Sequence, residues 1–227
     1  MSPHNEHITR TLYYFDELSD SAQNTARDWY RSGGLDYEWW DSIYESAVDA
    51  AKYLGITINE KTQTSIGGYT PKGKWDANKE TRSTKTCIYF SGFSSQGDGA
   101  CFYGTWHAAD MRPLKELKAD FATDKELWRI HTHLADFAED YPLASCTSTR
   151  STCHYSHERS TNLDAILGED IDYNEKTHKP LEECLVEFMQ WIYKRLEAED
   201  DYLNSNESVD ETIRANEYEF TEEGKRA

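Results

Sequence analysis

Residues 86–106 read TCIYFSGFSSQGDGACFYGTW, and the fold turns on how this stretch is read. It holds one ionisable carboxylate, Asp98, in a chain of formal net charge −18. Ile88 and Phe90 alternate with Tyr89 and Ser91, and Cys101 and Tyr103 alternate with Phe102 and Gly104. Period-two alternation of aromatic and β-branched residues predicts half-buried strands. Between them Gly97-Asp98-Gly99 favours positive φ and a tight reversal, which predicts a β-hairpin with Phe90 and Phe102 in the core. This hairpin is expected to be the centre of an antiparallel sheet against which the helices pack.

Helical patterns flank it. Ser19 is placed to cap a helix whose Ala22, Ala26 and Trp29 share a face, ended by Gly33-Gly34. A second helix is predicted from about Asp36 to Leu54, with Trp40, Ile43, Ala47, Ala51 and Leu54 as its stripe and Gly55 as its stop. Ile56 and Ile58 then begin a strand. Residues 61–85 carry six Lys or Arg against Asp76 and Glu80. Gly67-Gly68 and Pro71-Lys72-Gly73 break regular structure, so a strand to about Ile66 and an exposed loop are expected.

Beyond the hairpin, Pro113 falls in the first turn of a helix faced by Leu114, Leu117 and Phe121. Thr123 and Glu126 have capping-box spacing before Leu127, Ile130, Leu134 and Phe137. Residues 143–160 read as a second hairpin and 161–180 as connection. Leu181, Leu185, Phe188, Ile192 and Leu196 mark a long helix, and Ser208 with Glu211 a second capping box before Val209 and Ile213. The expected fold is α+β: a small antiparallel sheet built on two hairpins, helices on one face, and an acidic C-terminal helical pair. The length, 227 residues, fits one domain over 1–227.

Three stretches resemble a family of phage- and prophage-encoded accessory proteins commonly labelled "antitoxin of toxin–antitoxin stability system". They are ELSDSAQNTARDWYR with GLDYEWWDSIYESAVDAAKYLGITI, the hairpin IYFSGFSSQGDGACF, and the tail SVDETIRANEYEFTEEGKR. The resemblance implies a phage protein that neutralises something in its bacterial host. It designates no catalytic residue and no cofactor.

No apolar run approaches 18 residues, which points to the host cytoplasm. The five Cys are odd in number and lack CxxC spacing, so reduced thiols are expected. The loop Gln96-Gly97-Asp98-Gly99 has the composition of a phosphate cradle, but strands lie on both sides and no Lys-Ser pair follows. A structural turn is the simpler reading, with a ligand or acid–base site at Asp98 as the alternative.

His131 and His133 project about 200° apart on a helix and cannot share a metal. Cys153 and His157 would share a strand face, His154 would not, and a zinc site would need Cys146 or His107 as well. No metal is expected, and no feature activates any Cys as a nucleophile.

Residues 180–223 hold 14 Asp and Glu against Lys194, Arg195 and Arg214. Glu197, Glu199, Asp200 and Asp201 crowd a helix end, where the helix carbonyls already present negative charge. With Glu187 they form a candidate docking surface for a basic, nucleic-acid-binding region of a host protein. Lys72, Lys74 and Trp75 are candidate contacts to nucleic acid, although a chain of −18 disfavours duplex DNA binding on its own. The expected function is non-enzymatic binding and neutralisation of a host protein such as a defence nuclease, a CRISPR effector or a toxin. A small-ligand protein or enzyme using Gln96–Gly99 is the alternative. Elemental analysis of the purified protein is expected to find no stoichiometric zinc; one zinc per chain would overturn the ligand-spacing argument.

Overall fold

The structure, a computed structural model, describes residues 11–35, 37–150, 156–168 and 171–227. In chain order its elements are β1 (Tyr13–Tyr14), α1 (Asp20–Ser32), α2 (Asp41–Tyr53), β2 (Ile56–Ile58), β3 (Glu60–Tyr69), β4 (Trp75–Thr86), β5 (Ile88–Ser91), β6 (Gly99–Phe102) and β7 (Gly104–His107). There follow α3 (Leu114–Asp120), α4 (Lys125–Asp140), β8 (Ser145–Thr149), β9 (Asn162–Ile166), α5 (Glu175–Leu203), α6 (Asn206–Ala215) and β10 (Glu219–Phe220). The fold is α+β with antiparallel ladders. The chain divides into two compact units, one of Met1–Trp40 with Glu197–Ala227, the other Asp41–Leu196.

In the larger unit, three ladders meet at three single residues. Asn59 separates β2 from β3, Cys87 separates β4 from β5, and Tyr103 separates β6 from β7. Their backbones close a ring of hydrogen bonds: Asn59 N–H donates to Tyr103 O at 2.8 Å, Tyr103 N–H to Cys87 O at 2.9 Å, and Cys87 N–H to Asn59 O at 2.8 Å. From this ring diverge the ladders β2:β7, β3:β4 and β5:β6.

The predicted hairpin β5–β6 forms, with Gly97 at φ +101°, but its reversal is the longer loop of residues 92–98 rather than a tight Asp-Gly turn, since Gly99 already pairs with Ser91. It is not the sheet's centre. It stands as its own two-stranded ladder, while β7 and β8 are the inner strands of a four-stranded sheet ordered β2-β7-β8-β9. Phe102 is buried and meets Phe188 edge-on, but Phe90 is half-buried and stacks on Phe93. β6 is buried at every position rather than on alternate ones, because its neighbours cover both faces.

The four-stranded sheet has one covered face. Ile56, Trp106, Cys146 and Ala165 lie side by side across it and are all buried. The next row, Thr57, Thr105, Thr147 and Asp164, faces outward. Helix α4 reaches the covered side through Phe137 against Trp106, and α5 presents Leu181, Leu185, Phe188, Ile192 and Leu196, each fully buried. Each such side chain contributes about 1.5–3 kcal/mol before entropy. Asp124 ties the helices together. Its carboxylate accepts from Leu127 N–H at 3.0 Å, from Trp191 Nε1–H at 2.8 Å, and from Arg195. Burial alone would push this carboxyl up, but those donors together hold it below the usual range.

Several expectations are corrected. Asp124, not Thr123, caps α4, because the longer carboxylate side chain reaches the N–H groups and two α5 side chains as well. Ser205, not Ser208, caps α6; Ser208 lies in the first turn and gives its N–H to Ser205 Oγ. Helix α2 begins at Asp41 rather than near residue 36. The second hairpin exists as β8–β9, with its return strand at 162–166, in the stretch expected to be connection. The expected loop after Ile66 is instead regular strand on both sides of a tight turn.

The smaller unit packs α1, α6 and the β1:β10 pair around Phe15, Leu18, Ala22, Ala26, Val209, Ile213 and Phe220. Arg27 and Asp210 close it with a two-pronged ion pair of 2.6 and 2.7 Å.

Gly104 tests the ring of hydrogen bonds. A Cβ there would strike the Thr57 carbonyl and come within 3.0 Å of Ile58 Cα. Gly104→Ala is expected to lower stability by about 1–3 kcal/mol in denaturant melts; a variant that melts like the parent would show that β2 and β7 need no such approach.

Candidate functional site

The loop after β5 is built around Asp98. Its Oδ2 accepts from Ser94 N–H at 2.8 Å and Ser95 N–H at 2.6 Å, and its own N–H donates to Ser95 O at 3.0 Å. Gly92, at φ +55°, lets the backbone pass directly beside this carboxylate. The loop therefore already encloses an anion, its own, where a phosphate would sit. Gln96 is exposed, and Gly97 is required by its φ alone, since open space surrounds the position of a Cβ. Gly99 is required by space: a Cβ would stand 2.8 Å from both Glu158 Oε2 and the His157 ring.

Behind Gly99 lies a polar cluster the sequence did not disclose. Glu158, in the short turn Glu158–Ser160, is 7% exposed. Gln190 Nε2–H donates to its Oε1 at 3.1 Å. Its Oε2 is 3.3 Å from His157 Nδ1, which also accepts Arg159 N–H at 3.0 Å. The Cys101 thiol lies 3.9 Å from the Tyr103 hydroxyl. Burial pushes this thiol up, against hydrogen bonds with Tyr103, Thr161 and Ser156 that favour the thiolate. Burial and the neighbouring Cys101 push the Tyr103 hydroxyl up to about 12. Both are protonated at neutral pH, so Cys101 is not poised as a nucleophile. A glutamate within a Ser, Thr and His-rich stretch reads as surface, and nothing in its spacing announces Gln190 as partner.

The metal-ligand candidates do not assemble among the described residues, where no three His, Cys, Asp or Glu are placed to hold an ion. His131 is buried on α4 with Nε2 2.7 Å from Arg112 O, while His133 is exposed near Glu187. Cys146 is buried in β8, where burial first and Glu182 second push its thiol up to about 12. His107 is exposed at the end of β7. Cys153 and His154 lie outside the described residues.

The acidic candidates separate. Glu187 is engaged by Arg129 at 2.9 Å, with His133 at 3.8 Å. Glu197, Glu199, Asp200 and Asp201 occupy the last two turns of α5, and none forms an ion pair among the described residues. Burial, then the charge of Asp201, raise the Asp200 carboxyl. Asp200 O accepts both the backbone N–H of Asn204 at 3.0 Å and its Nδ2–H at 2.9 Å.

Lys72, Lys74 and Trp75 share the tip of the β3–β4 ribbon. Pro71 fixes one turn position and Gly73, at φ +74°, another; Gly73 N–H donates to Thr70 O at 2.9 Å and Thr70 N–H to Lys74 O at 2.8 Å. Trp75 meets Tyr69 edge-on, with ring centroids 5.3 Å apart, and lies against Gly67, where the register shifts by a bulge. Trp75 is 58% exposed and Tyr69 65%.

Residues 39–206, more than half of the chain, match the family described as Domain of unknown function (DUF8835), and the chain belongs to it. No curated protein and no solved structure matches. The residues outside the match, 1–38 and 207–227, both fall in the smaller unit.

Asp98→Ala removes the acceptor for two loop N–H groups and is expected to cost about 1–3 kcal/mol. Phosphate should then raise the melting temperature of the variant more than that of the parent. A parent stabilised by phosphate as strongly as the variant would restore the loop as a native anion site.

Proposed function

We propose that this chain is a non-enzymatic, phage-derived accessory protein that binds and neutralises a bacterial host protein in the cytoplasm. Its partner is a protein with a basic, nucleic-acid-binding surface, of the kind found on a defence nuclease, a CRISPR effector or a toxin. The observation that carries this reading is the cluster Glu197, Glu199, Asp200 and Asp201. Four carboxylates gather at a helix C-terminus, against the macrodipole, and none of them forms an ion pair among the described residues; Arg31 Nε–H donates instead to Asn204 O at 3.0 Å, just past the helix end. Like-charge repulsion at Asp200 is already felt in its raised pKa, with burial the larger cause. A cationic surface would relieve that repulsion and gain from the crowding that costs the free protein stability. The three-stretch resemblance supplies the phage and host context. No membrane enters the proposal, and no described helix is long and apolar enough to cross one.

The test is kinetic. A partner is captured from bacterial lysate and eluted with salt, and its association rate is measured against ionic strength. Replacing Glu199, Asp200 and Asp201 together by Lys should leave the fold intact. It should slow association about tenfold or more at low salt and remove most of the salt dependence, because steering acts over a Debye length of about 8 Å at physiological ionic strength. Superimposed curves would make the cluster a solvated face only. Tight small-ligand stabilisation of the parent, with no captured partner, would favour a ligand site at Gln96–Gly99 instead.

A further inference from the structure

The β3–β4 ribbon is exposed on both faces along nearly its whole length, and the two strands pair mainly with each other. Ten residues of strand at about 3.4 Å each give it a reach of about 30 Å. An isolated two-stranded ribbon is marginal in water. This one is held by its root at Asn59 and Cys87 and by its Pro71–Gly73 turn. Among its side chains the cross-strand Tyr69–Trp75 pair at the tip supports the ladder. Lys61 stands directly opposite Lys85, a like-charge pair that weakens a ladder. Ile66 is 78% exposed, beside the open Tyr69 and Trp75 rings.

We infer that this ribbon is an arm that binds single-stranded nucleic acid at its tip, with bases stacking on Trp75 and Tyr69 and phosphates taken by Lys72 and Lys74. The inference stands independently of the acidic surface above. Charge selects the ligand: residues 61–85 carry six Lys or Arg against two acids, inside a chain of −18. Arg82 is engaged by Glu80 at 2.9 Å and Lys79 by the Tyr69 carbonyl, but Lys61, Lys72 and Lys74 form no ion pair among the described residues. The arm's length answers the objection that so acidic a protein repels phosphate. A tip about 30 Å from the ribbon's root lies several Debye lengths away at physiological salt, where that length is about 8 Å. Aromatic rings select single strands, because only an unstacked base offers its face to them.

The test uses the full-length protein and a fluorescein-labelled oligothymidine of about 20 nucleotides, read by anisotropy across ionic strength. Saturable binding is expected, with log affinity falling against log salt at a slope of about −1.4, from two released counterions at about 0.7 each. Below about 0.01 M salt, where the Debye length reaches about 30 Å, the line should flatten as the acidic body begins to repel the strand. Trp75→Ala should weaken binding about 5- to 100-fold. Lys72→Ala with Lys74→Ala should flatten the slope by about 1.4. Both changes lie on an exposed tip, and an unchanged melting temperature confirms that the fold is retained. The inference is overturned if no saturable binding occurs even at low salt, or if both variants bind like the parent. It is equally overturned if a duplex of the same length or polyglutamate binds as tightly as oligothymidine, which would reduce the arm to a general contact for anions.

Discussion

The ring of three hydrogen bonds through Asn59, Cys87 and Tyr103 is the constraint on which the larger unit depends. At each of these residues a strand leaves one partner and takes another. Such a switch ordinarily strands a backbone donor and an acceptor, which is costly away from water. Here each residue's N–H is accepted by the next residue's carbonyl, and all six groups are satisfied without a side chain. The ring therefore lets β2 continue as β3, β4 as β5 and β6 as β7 with a single residue between each. Gly104, next to Tyr103, lets β7 approach β2 closely enough for the ring to close. The arm has no core of its own, so its direction is set at this root.

What could be read in advance follows from where burial is one-sided. The α5 stripe from Leu181 to Leu196 and, of the predicted α2 stripe, Ala47, Ala51 and Leu54 just past the helix repeat at helical intervals because one face meets the core, and these are buried, whereas Trp40 and Ile43 are half-buried. The two alternating runs placed the β5–β6 hairpin, although the chain reverses over residues 92–98 rather than at Asp98-Gly99. The first strand of the arm was expected to about Ile66, but its return strand escaped for the same reason in reverse: with both faces in water, residues 75–86 have no apolar alternation for a period-two reading to find. Gly67 and Gly73, read as breakers, are the bulge and the turn of a regular ladder. The missed caps lie one and three residues from those chosen, among neighbouring side chains of equal capping ability. Glu158 and Gln190 were illegible because their meeting is tertiary, set by the space over Gly99.

Charge is partitioned by chemistry as well as by place. Burial raises the Cys101, Cys146, Cys184 and Tyr103 groups, so the interior carries neutral thiols and phenols at physiological pH. The loop that most resembles a ligand cradle is filled by Asp98, and the glycine beside it is occupied from behind by Glu158 and His157. Nucleophilic or acid–base catalysis needs a group whose reactive form is populated and reachable, and among these groups burial acts against both conditions. The strong unbalanced charges stand outside instead, positive along the β3–β4 arm and negative at the end of α5. Surfaces of that kind act through encounter and recognition, whose rate and specificity follow electrostatic complementarity.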